Sequence, residues 1–326
     1  MSISFFYRSL NCGFSIKKVF NTISNEISNK HDVKEYYVPS HHAGLMSVLK
    51  NILHVFKHRN KNGINHITGD IHYCALALIG CKSVLTIHDL SALEGAQNPI
   101  KRAIIKWLWF KIPLLIVNKV VCISEHTRKE LNKITNRKDI EVVYNAVDPT
   151  FIYSPKPFNT KTPVILQIGT AWNKNLNITI KALQSIDCHL IIIGSVEDLT
   201  LNFLKETNIS YTIKTNLTDL EVIETYYQSD IISFCSLYEG FGMPIIEANA
   251  IGRCVITSSI SPMTEIGANA ACFVNPNEVL SIKNGFKKII SDKDFRNTLI
   301  ENGLTNTKRF NVTEVSKSYV NIYSEL

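Results

Sequence analysis

The sequence contains no apolar run long enough to cross a bilayer, which excludes a membrane-spanning helix within it. A spanning helix needs roughly 20 apolar residues, whereas the apolar runs of these 326 residues are short and evenly spread. Charged residues are scarce at 19%, while apolar residues reach 45%, and this composition excludes a disordered or fibrous chain. The N-terminus has no basic stretch before its apolar part, so we expect residues 3–7 to form a buried strand and not a signal peptide.

Several ligand-binding motifs are also missing. The eight cysteines form no C-x-x-C pair and mostly lie in apolar runs, so we expect reduced thiols in a protein core. No Asp-x-Asp triad occurs, and His41-His42 and the pair His66 and His72 lack ligand spacing, so no metal is expected. No G-x-G-x-x-G follows the first strand, which argues against a dinucleotide oxidoreductase.

Positive charge is concentrated in the first half of the chain. Residues 1–155 contain 20 lysines and arginines against 11 acidic residues, a net charge of +9, and residues 156–326 contain 15 against 17, a net charge of −2. Only the first half is therefore expected to meet a polyanion, such as a membrane surface, a lipid diphosphate or a nucleic acid. Since no nucleic-acid-binding motif or aromatic-basic ladder is present, we do not expect a nucleic acid.

A basic helical segment stands out within that half. Residues 101–119 place four lysines, one arginine and two tryptophans in an aliphatic helix pattern that Pro113 is expected to interrupt. The pattern fits an interfacial helix on anionic lipid. It fits equally well a buried helix whose basic side chains extend to the surface.

Short Val- and Ile-rich runs alternate with stretches of helical period, which indicates parallel α/β sheets buried on both faces. The proline-rich stretch 148–163 has little periodicity and is typical of an interdomain linker. We therefore predict an N-terminal domain at 1–155, a C-terminal domain at 156–308, and a final helix at 309–326 that packs back towards the first domain. The predicted strands include residues 83–87, 119–123, 163–168, 189–193, 230–235 and 254–257, and the predicted helices include 176–184 and 219–228.

The stretch 236–252, SLYEGFGMPIIEANAIG, follows one of these strands. Gly240 and Gly242 allow a tight turn and a close approach to a ligand, and the proline that follows suits the first turn of a helix. Free N–H groups at a helix start bind anions. Glu239 and Glu247 flank this position, and because carboxylates repel a diphosphate we expect them to bind sugar or ribose hydroxyls. Ordinary helix capping produces the same spacing, so spacing alone does not decide between the two.

The E-x7-E spacing within EGFGMPIIEANAIG resembles the signature of glycosyltransferase family 4. The resemblance covers nearly the whole chain, is weakest in the N-terminal third, and is specific because several further blocks occur in the family's order. They are His88-Asp-Leu after a strand, VCISEHT at 121–127, VYNAVD at 143–148, ILQIGTAWNKNL at 165–176, and the block at 258–276.

The resemblance implies an α/β protein of the GT-B fold, in which two Rossmann-like domains with parallel sheets face each other across a cleft. It implies catalytic roles for His88, near the reacting carbon, and Glu239, on the hydroxyls of the donor sugar. Glu247 would bind the ribose hydroxyls. The diphosphate would be held by Lys174 and by the amides of Gly240, Phe241, Gly242 and Met243, with Gly13 beside it.

Three departures from the family pattern are present, and one of them is the late aromatic of the family's F-S-W-E block, which is absent where residues 310–314 read FNVTE. The family often has an arginine near the lysine, but Thr170 and Asn173 occupy those places here. The N-terminal loop usually has two adjacent glycines, whereas this chain reads Asn11-Cys12-Gly13. The absent arginine means that one cation near Lys174 is missing or supplied from elsewhere.

From the resemblance we expect a retaining hexosyltransferase that needs no metal or cofactor, of the kind that assembles bacterial surface polysaccharide such as O-antigen. It would move mannose, glucose or a similar hexose from a nucleotide-diphosphate sugar to a saccharide acceptor, with a polyprenyl-diphosphate-linked saccharide favoured by the basic half. We expect a cytoplasmic protein, peripheral on the inner face of an anionic membrane. The alternatives are another GT-B enzyme, such as an epimerase or phosphorylase, and a non-enzymatic polyanion-binding protein.

Overall fold

The computed structural model describes residues 1–10, 14–42 and 44–326, with the side chain of Phe14 excepted. The chain forms two compact units, of which the first is Met1–Ala146 with Asn311–Leu326 and the second is Val147–Phe310. The first boundary lies before the predicted residue 155, because Phe151 is buried in the second unit with its ring 5.2 Å from that of Tyr226.

Six parallel strands form the sheet of the first unit, in the order β2-β1-β3-β4-β5-β6. Four of its strands have fully buried runs because helices cover both faces of a parallel sheet. Since β1 pairs with both β2 and β3, the strand order reverses beside β1, and ligands of such sheets bind beyond the strand ends at this point. The strands are Ser2–Tyr7 (β1), Asp32–Tyr37 (β2), Ile64–Ile67 (β3), Ser83–Ile87 (β4), Lys119–Cys122 (β5) and Ile140–Val142 (β6).

The predicted basic helix of this unit is longer than expected. Pro113 does not interrupt it, because a wide π turn at Lys106–Lys111 comes just before the proline and accommodates the missing N–H group. The helices are Phe14–Ser28 (α1), Leu45–His58 (α2), the 3-10 turn His72–Leu78, Ser91–Glu94 (α3), Pro99–Ile105 (α4), Ile112–Ile116 (α5) and Glu125–Asn132 (α6).

The last helix of the chain, which is labelled α14 and spans Val312–Ser324, packs on α1 in the first unit. The hydroxyl of its Tyr323 lies 2.7 Å from Nδ1 of His66 on β3, and Thr86 on β4 is 2.8 Å from the other ring nitrogen. Tyr319 and Tyr323 are both fully buried beside this histidine. Burial lowers the pKa of His66 to about 3, so the imidazole is neutral in the folded protein.

The second unit contains another six-stranded parallel sheet, in the order β12-β11-β10-β7-β8-β9. Its strands are Val164–Ile168 (β7), His189–Ile193 (β8), Ser210–Lys214 (β9), Ile231–Phe234 (β10), Cys254–Ser258 (β11) and Cys272–Val274 (β12). Its helices are the 3-10 turn Trp172–Lys174, Leu176–Leu183 (α7), Asp198–Lys205 (α8), Asp219–Gln228 (α9), Met243–Ile251 (α10), Met263–Gly267 (α11), Val279–Ser291 (α12), Lys293–Asn306 (α13) and the 3-10 turn Thr307–Phe310.

In this sheet the order reverses between β7 and β10, so the loops that follow these two central strands meet at one crevice. The predicted α/β class with two parallel sheets is confirmed, and so are the six strands predicted from Val- and Ile-rich runs, each to within about two residues.

Candidate active site

The loop after β10 leads directly into α10 and forms one wall of the second unit's crevice. Gly242, the residue before the helix, has φ of +122°, and a Cβ there would lie 3.1 Å from Ile245 Cδ1, so the turn requires glycine. Phe241 is buried and anchors the loop, whereas Gly240 and Met243 are partly exposed. The helix therefore begins with its N-terminal amides at the crevice, where an anion is favourable.

Lys174 and Glu239 form an ion pair between the two loops that follow β7 and β10. Lys174 comes from the loop after β7 and Glu239 from the loop after β10, and Nζ lies 2.6 Å from Oε1. The side chains are only 23% and 15% exposed, so the pair is largely removed from solvent. The ammonium also lies 5.0 Å from the ring centre of Phe234, at the end of β10. The structure thus brings together two residues that are 65 positions apart in the chain.

Two polar side chains and one glycine position the segment around Lys174. Asn175 has φ of +58° and is buried, and its amide donates to the carbonyls of Cys235 at 3.1 Å and Pro276 at 2.7 Å. Gln167 donates to the carbonyl of Lys174 at 3.0 Å. Gly169 has φ of +81°, and a Cβ there would lie 3.1 Å from Cγ of the lysine. The lysine stem therefore crosses directly over a backbone position that has no side chain.

Asn173 occupies one of the places where the family often has an arginine. Its side-chain amide donates to the carbonyl of Tyr238 at 3.0 Å and lies 3.4 Å from Oε1 of Glu239. The backbone carbonyl of Asn173 accepts a hydrogen bond from the backbone amide of Leu237 at 2.8 Å. Asn173 therefore ties the β7 loop to the β10 loop.

Glu247 lies on the first turns of α10, and its carboxylate accepts a short hydrogen bond from the hydroxyl of Tyr226 on α9. Tyr226 is fully buried, and its pKa is raised well above the usual value, first by burial and then by the charge of Glu247. The phenol therefore stays protonated and donates to the carboxylate. Lys174, Glu239 and Glu247 together offer a cation and two carboxylates near a helix start, and carboxylates accept strong hydrogen bonds from hydroxyl groups.

His88 belongs to the first unit, where it follows β4 and is buried. Its Nε2 donates to the carbonyl of Thr68 at 2.7 Å, which leaves the lone pair on Nδ1. Burial lowers the pKa of His88, and the nearby Asp70 carboxylate only partly offsets this effect. The imidazole is therefore neutral near pH 7, and Nδ1 can accept a hydrogen bond without adding charge. The predicted Gly13 lies outside the described residues.

A cavity of about 290 Å³ lies in the first unit, lined by residues that follow its strands. Arg8 follows β1 and Asp70 follows β3, and their side chains form an ion pair at 2.7 Å where the strand order reverses. Asp89 and Ser91 after β4 also line it, as does Trp109 from the π turn. The cavity offers charged, hydroxyl and aromatic side chains, a combination that suits a saccharide.

Two family models match successive parts of the sequence. The model described as "Glycosyltransferase Family 4" matches residues 28–151, and the model described as "Glycosyl transferases group 1" matches residues 150–305. The chain belongs to the glycosyltransferases of group 1 and family 4. The family predicted from the E-x7-E segment and its companion blocks is thereby confirmed.

Relatives of this glycosyltransferase include an uncharacterized glycosyltransferase of Methanocaldococcus jannaschii, which is 27% identical over 78% of this chain and 72% of its own length. The O-antigen chain mannosyltransferase RfbU of Salmonella typhimurium is 25% identical over 63% of this chain and 60% of its own length. Among solved structures, Anabaena HepE in complex with UDP and glucose has a TM-score of 0.80 at 15% identity and covers the whole of both chains. The structural likeness confirms the GT-B fold.

The described residues of this glycosyltransferase contain no group of three or more His, Cys, Asp or Glu side chains that could hold a metal ion. Within the same residues, no helix has the length and apolarity needed to cross a membrane. The sequence analysis named Asn173 only as a departure from the family pattern, and it did not predict a role in the site for Asn173, Asn175 or Tyr226. Asn175 lies beside Lys174 in the NKN motif and could have been singled out by position, but nothing in the sequence linked Tyr226 to Glu247.

Proposed function

We propose that this glycosyltransferase is a retaining hexosyltransferase that takes its sugar from a nucleotide-diphosphate donor bound in the second unit. The observation that carries the proposal is the Lys174–Glu239 ion pair at the start of α10, with Glu247 on the same helix. A lysine ammonium and helix amides suit a diphosphate, and two carboxylates suit hydroxyls on either side of it. The complex of HepE with UDP and glucose supports a donor of this class.

In this proposal each predicted residue has one role. Glu247, held by Tyr226, binds the ribose hydroxyls, and Glu239 binds hydroxyls of the donor sugar. Lys174 and the loop amides hold the diphosphate, whose charge grows as the glycosidic bond breaks. The amides are those of Gly240, Phe241, Gly242 and Met243.

The chemistry follows from these roles. The bond between the anomeric carbon and the diphosphate oxygen breaks through an oxocarbenium-like transition state. The acceptor hydroxyl forms the new bond on the same face, and its proton passes to the leaving diphosphate, which balances the reaction without a metal or a cofactor. The neutral His88 would hold the sugar near the reacting carbon through Nδ1.

We infer that the sugar is mannose or a similar hexose and that the acceptor is a saccharide carried on a lipid diphosphate, as in surface polysaccharide synthesis. The name of the Salmonella relative supports mannose and O-antigen. The net charge of +9 on residues 1–155 supports an acidic acceptor at the inner face of an anionic membrane.

A thermal-shift screen of nucleotide sugars tests the donor, because a bound ligand raises stability by mass action. The selected donor is then incubated with polyprenyl-diphosphate-linked saccharides, and NMR of the product gives the anomeric configuration. We expect retention and activity that persists in EDTA. An inverted product, or activity lost in EDTA and restored by a divalent ion, would contradict the mechanism. Turnover that requires inorganic phosphate would indicate a phosphorylase instead.

A further inference from the structure

Helix α2 in the first unit exposes a continuous apolar stripe. Val48, Asn51 and Val55 form its buried face. On the opposite face, apolar residues 45, 49, 53 and 56 follow one another at intervals of three or four residues, so they form a line along the helix, and residue 46 lies beside it. The members of the stripe are Leu45 (74% exposed), Met46 (67%), Leu49 (45%), Leu53 (66%) and Phe56 (52%). A water-facing helix normally presents polar residues there, so this stripe needs a partner.

The chain segment that contains the stripe carries only positive charge. The sequence has no acidic residue between Glu35 and Asp70, and this interval contains Lys50, Lys57, Arg59 and Lys61. Lys50 and Lys57 lie on α2 itself and are exposed. An apolar line with lysines beside it and no carboxylates is the pattern of a helix that lies at an anionic bilayer surface.

A second helix of the same character is joined to α2 through Tyr73 of the 3-10 turn His72–Leu78. Asn51 of α2 donates to the hydroxyl of Tyr73 at 2.8 Å, and the ring of Trp109 from the π turn lies 4.7 Å from that of Tyr73. No acidic residue occurs between Glu94 and Glu125, an interval that contains five lysines and arginines. The exposed large apolar residues of this interval are Ile100 (71%), Ile104 (52%) and Trp107 (54%), and Leu115 (82%) further along the helix.

We propose that α2 and residues 99–107 form a two-helix surface that docks on an anionic bilayer. The surface is defined by Leu45, Met46, Leu49, Leu53 and Phe56 of α2 and by Ile100, Ile104 and Trp107. Its basic surroundings argue against a second copy of the chain as the occupant, because a symmetric dimer would place lysines against lysines. Anionic headgroups supply the opposite charge.

The proposal deepens the proposed function and rests on it for the identity of the acceptor. Ile104 belongs both to the two-helix surface and to the lining of the first unit's cavity. The same cavity is lined by His41 and His42, which lead towards α2. A docked protein would therefore present this cavity next to the headgroups, where the saccharide of a lipid-linked acceptor is found.

The test is cosedimentation of the full chain with vesicles of phosphatidylcholine alone and with vesicles containing equal parts of phosphatidylglycerol. We expect binding to the anionic vesicles at low salt that weakens as salt rises. Leu49→Gln with Leu53→Gln should weaken partitioning on the order of tenfold or more, because two side chains lose their transfer into the interface. The matched control is Leu199→Gln with Leu280→Gln, which changes two exposed leucines of the second unit and should bind like wild type.

Absence of binding to anionic vesicles at low salt, or equal binding by Leu49→Gln with Leu53→Gln, would overturn the proposal. A dimer in light scattering that this double variant dissociates, without vesicle binding, would instead assign the surface to a second copy. Failure here is separable from failure of the proposed function, because nucleotide binding by thermal shift depends on the second unit. Unchanged nucleotide binding with no vesicle binding would refute only the docking surface.

Discussion

Replacement of Glu239 by alanine should change product binding and turnover in opposite directions. In the ion pair, Glu239 Oε1 lies 2.6 Å from Nζ of Lys174, so the carboxylate occupies one side of the cation that a diphosphate would use. A phosphate on the other side of the same ammonium lies on the order of 5 Å from the carboxylate, where repulsion is roughly 3 kcal/mol at an effective dielectric constant of about 20. Because Lys174 and Glu239 are both partly exposed, solvent and salt screen this repulsion to about 1.4 kcal/mol. Glu239→Ala should therefore bind the nucleoside diphosphate about tenfold more tightly.

Turnover should fall in the same variant. If Glu239 accepts two hydrogen bonds from the donor sugar, each to a charged acceptor and worth about 1.5–3 kcal/mol, kcat/KM should drop by about 10²–10⁴. Calorimetric titration with the nucleoside diphosphate and a diphosphate-release assay measure the two quantities. Glu301→Ala, which removes an exposed carboxylate on α13, is the control.

Diphosphate affinity and turnover of Glu239→Ala together test the two roles of this carboxylate. Weaker diphosphate binding by Glu239→Ala would mean that the carboxylate only holds Lys174 in position. Turnover near that of wild type in the folded variant would remove Glu239 from the site altogether.

Three further outcomes are expected. Tyr226→Phe removes the hydroxyl that donates to Glu247, a hydrogen bond worth about 1.5–3 kcal/mol, and should raise the nucleotide Kd by about tenfold to a hundredfold with kcat little changed. The effect should vanish with a 2′,3′-dideoxynucleotide, and an equal loss for both nucleotides would contradict a role through the ribose. Gly169→Ala places a side chain at φ of +81° against the stem of Lys174. It should cost about 1–2 kcal/mol in backbone strain and should also abolish diphosphate binding. The control is Gly80→Ala, at φ of +76° with nothing within 4 Å, which should share only the strain. Equal diphosphate binding by the two variants would refute the contact between position 169 and the lysine. The pKa of His66 is lowered to about 3 in the folded protein, below its unfolded value. The contribution of the neutral imidazole to the free energy of unfolding is therefore fully present above about pH 6.5 and is lost as the pH falls towards 3, by about 2 kcal/mol at pH 5. Denaturant unfolding at about pH 6.5 and at pH 5 measures this loss, and an unchanged pH dependence in His66→Gln would be evidence against it.

Buried strands and the turn before α10 could be predicted from the sequence, because they depend on neighbouring residues in the chain. The strands at 83–87, 189–193 and 254–258 are Val- and Ile-rich runs buried on both faces, so composition alone marks them. The turn at Gly242 and the start of α10 follow from glycine and proline chemistry. Lys174 and Glu239 were predicted as site residues, but their direct ion pair was not, because it depends on two loops that meet only after the sheet has formed.

Other elements could not be read from the sequence because their signals are tertiary. β2 reads DVKEYY and is half exposed at the sheet edge, so its polar residues hide the strand. Pro113 was expected to end the basic helix, but the π turn before it lets the helix continue. The apolar stripe of α2 resembles an ordinary amphipathic helix in sequence, and only the exposed fractions show that its apolar face points to water.

The return of the last helix to the first unit makes that unit discontinuous in the chain. His66 and the tyrosine that contacts it are 257 positions apart, so a ribosome must synthesise the entire second unit before this contact can form. The first unit then completes its core late, and until that time its β1 and α1 aromatic side chains lack the cover of Tyr319 and Tyr323. For the same reason, an exchange of donor halves between relatives cannot be made with a single crossover. A chimera that keeps this core needs junctions near both Ala146 and Asn311.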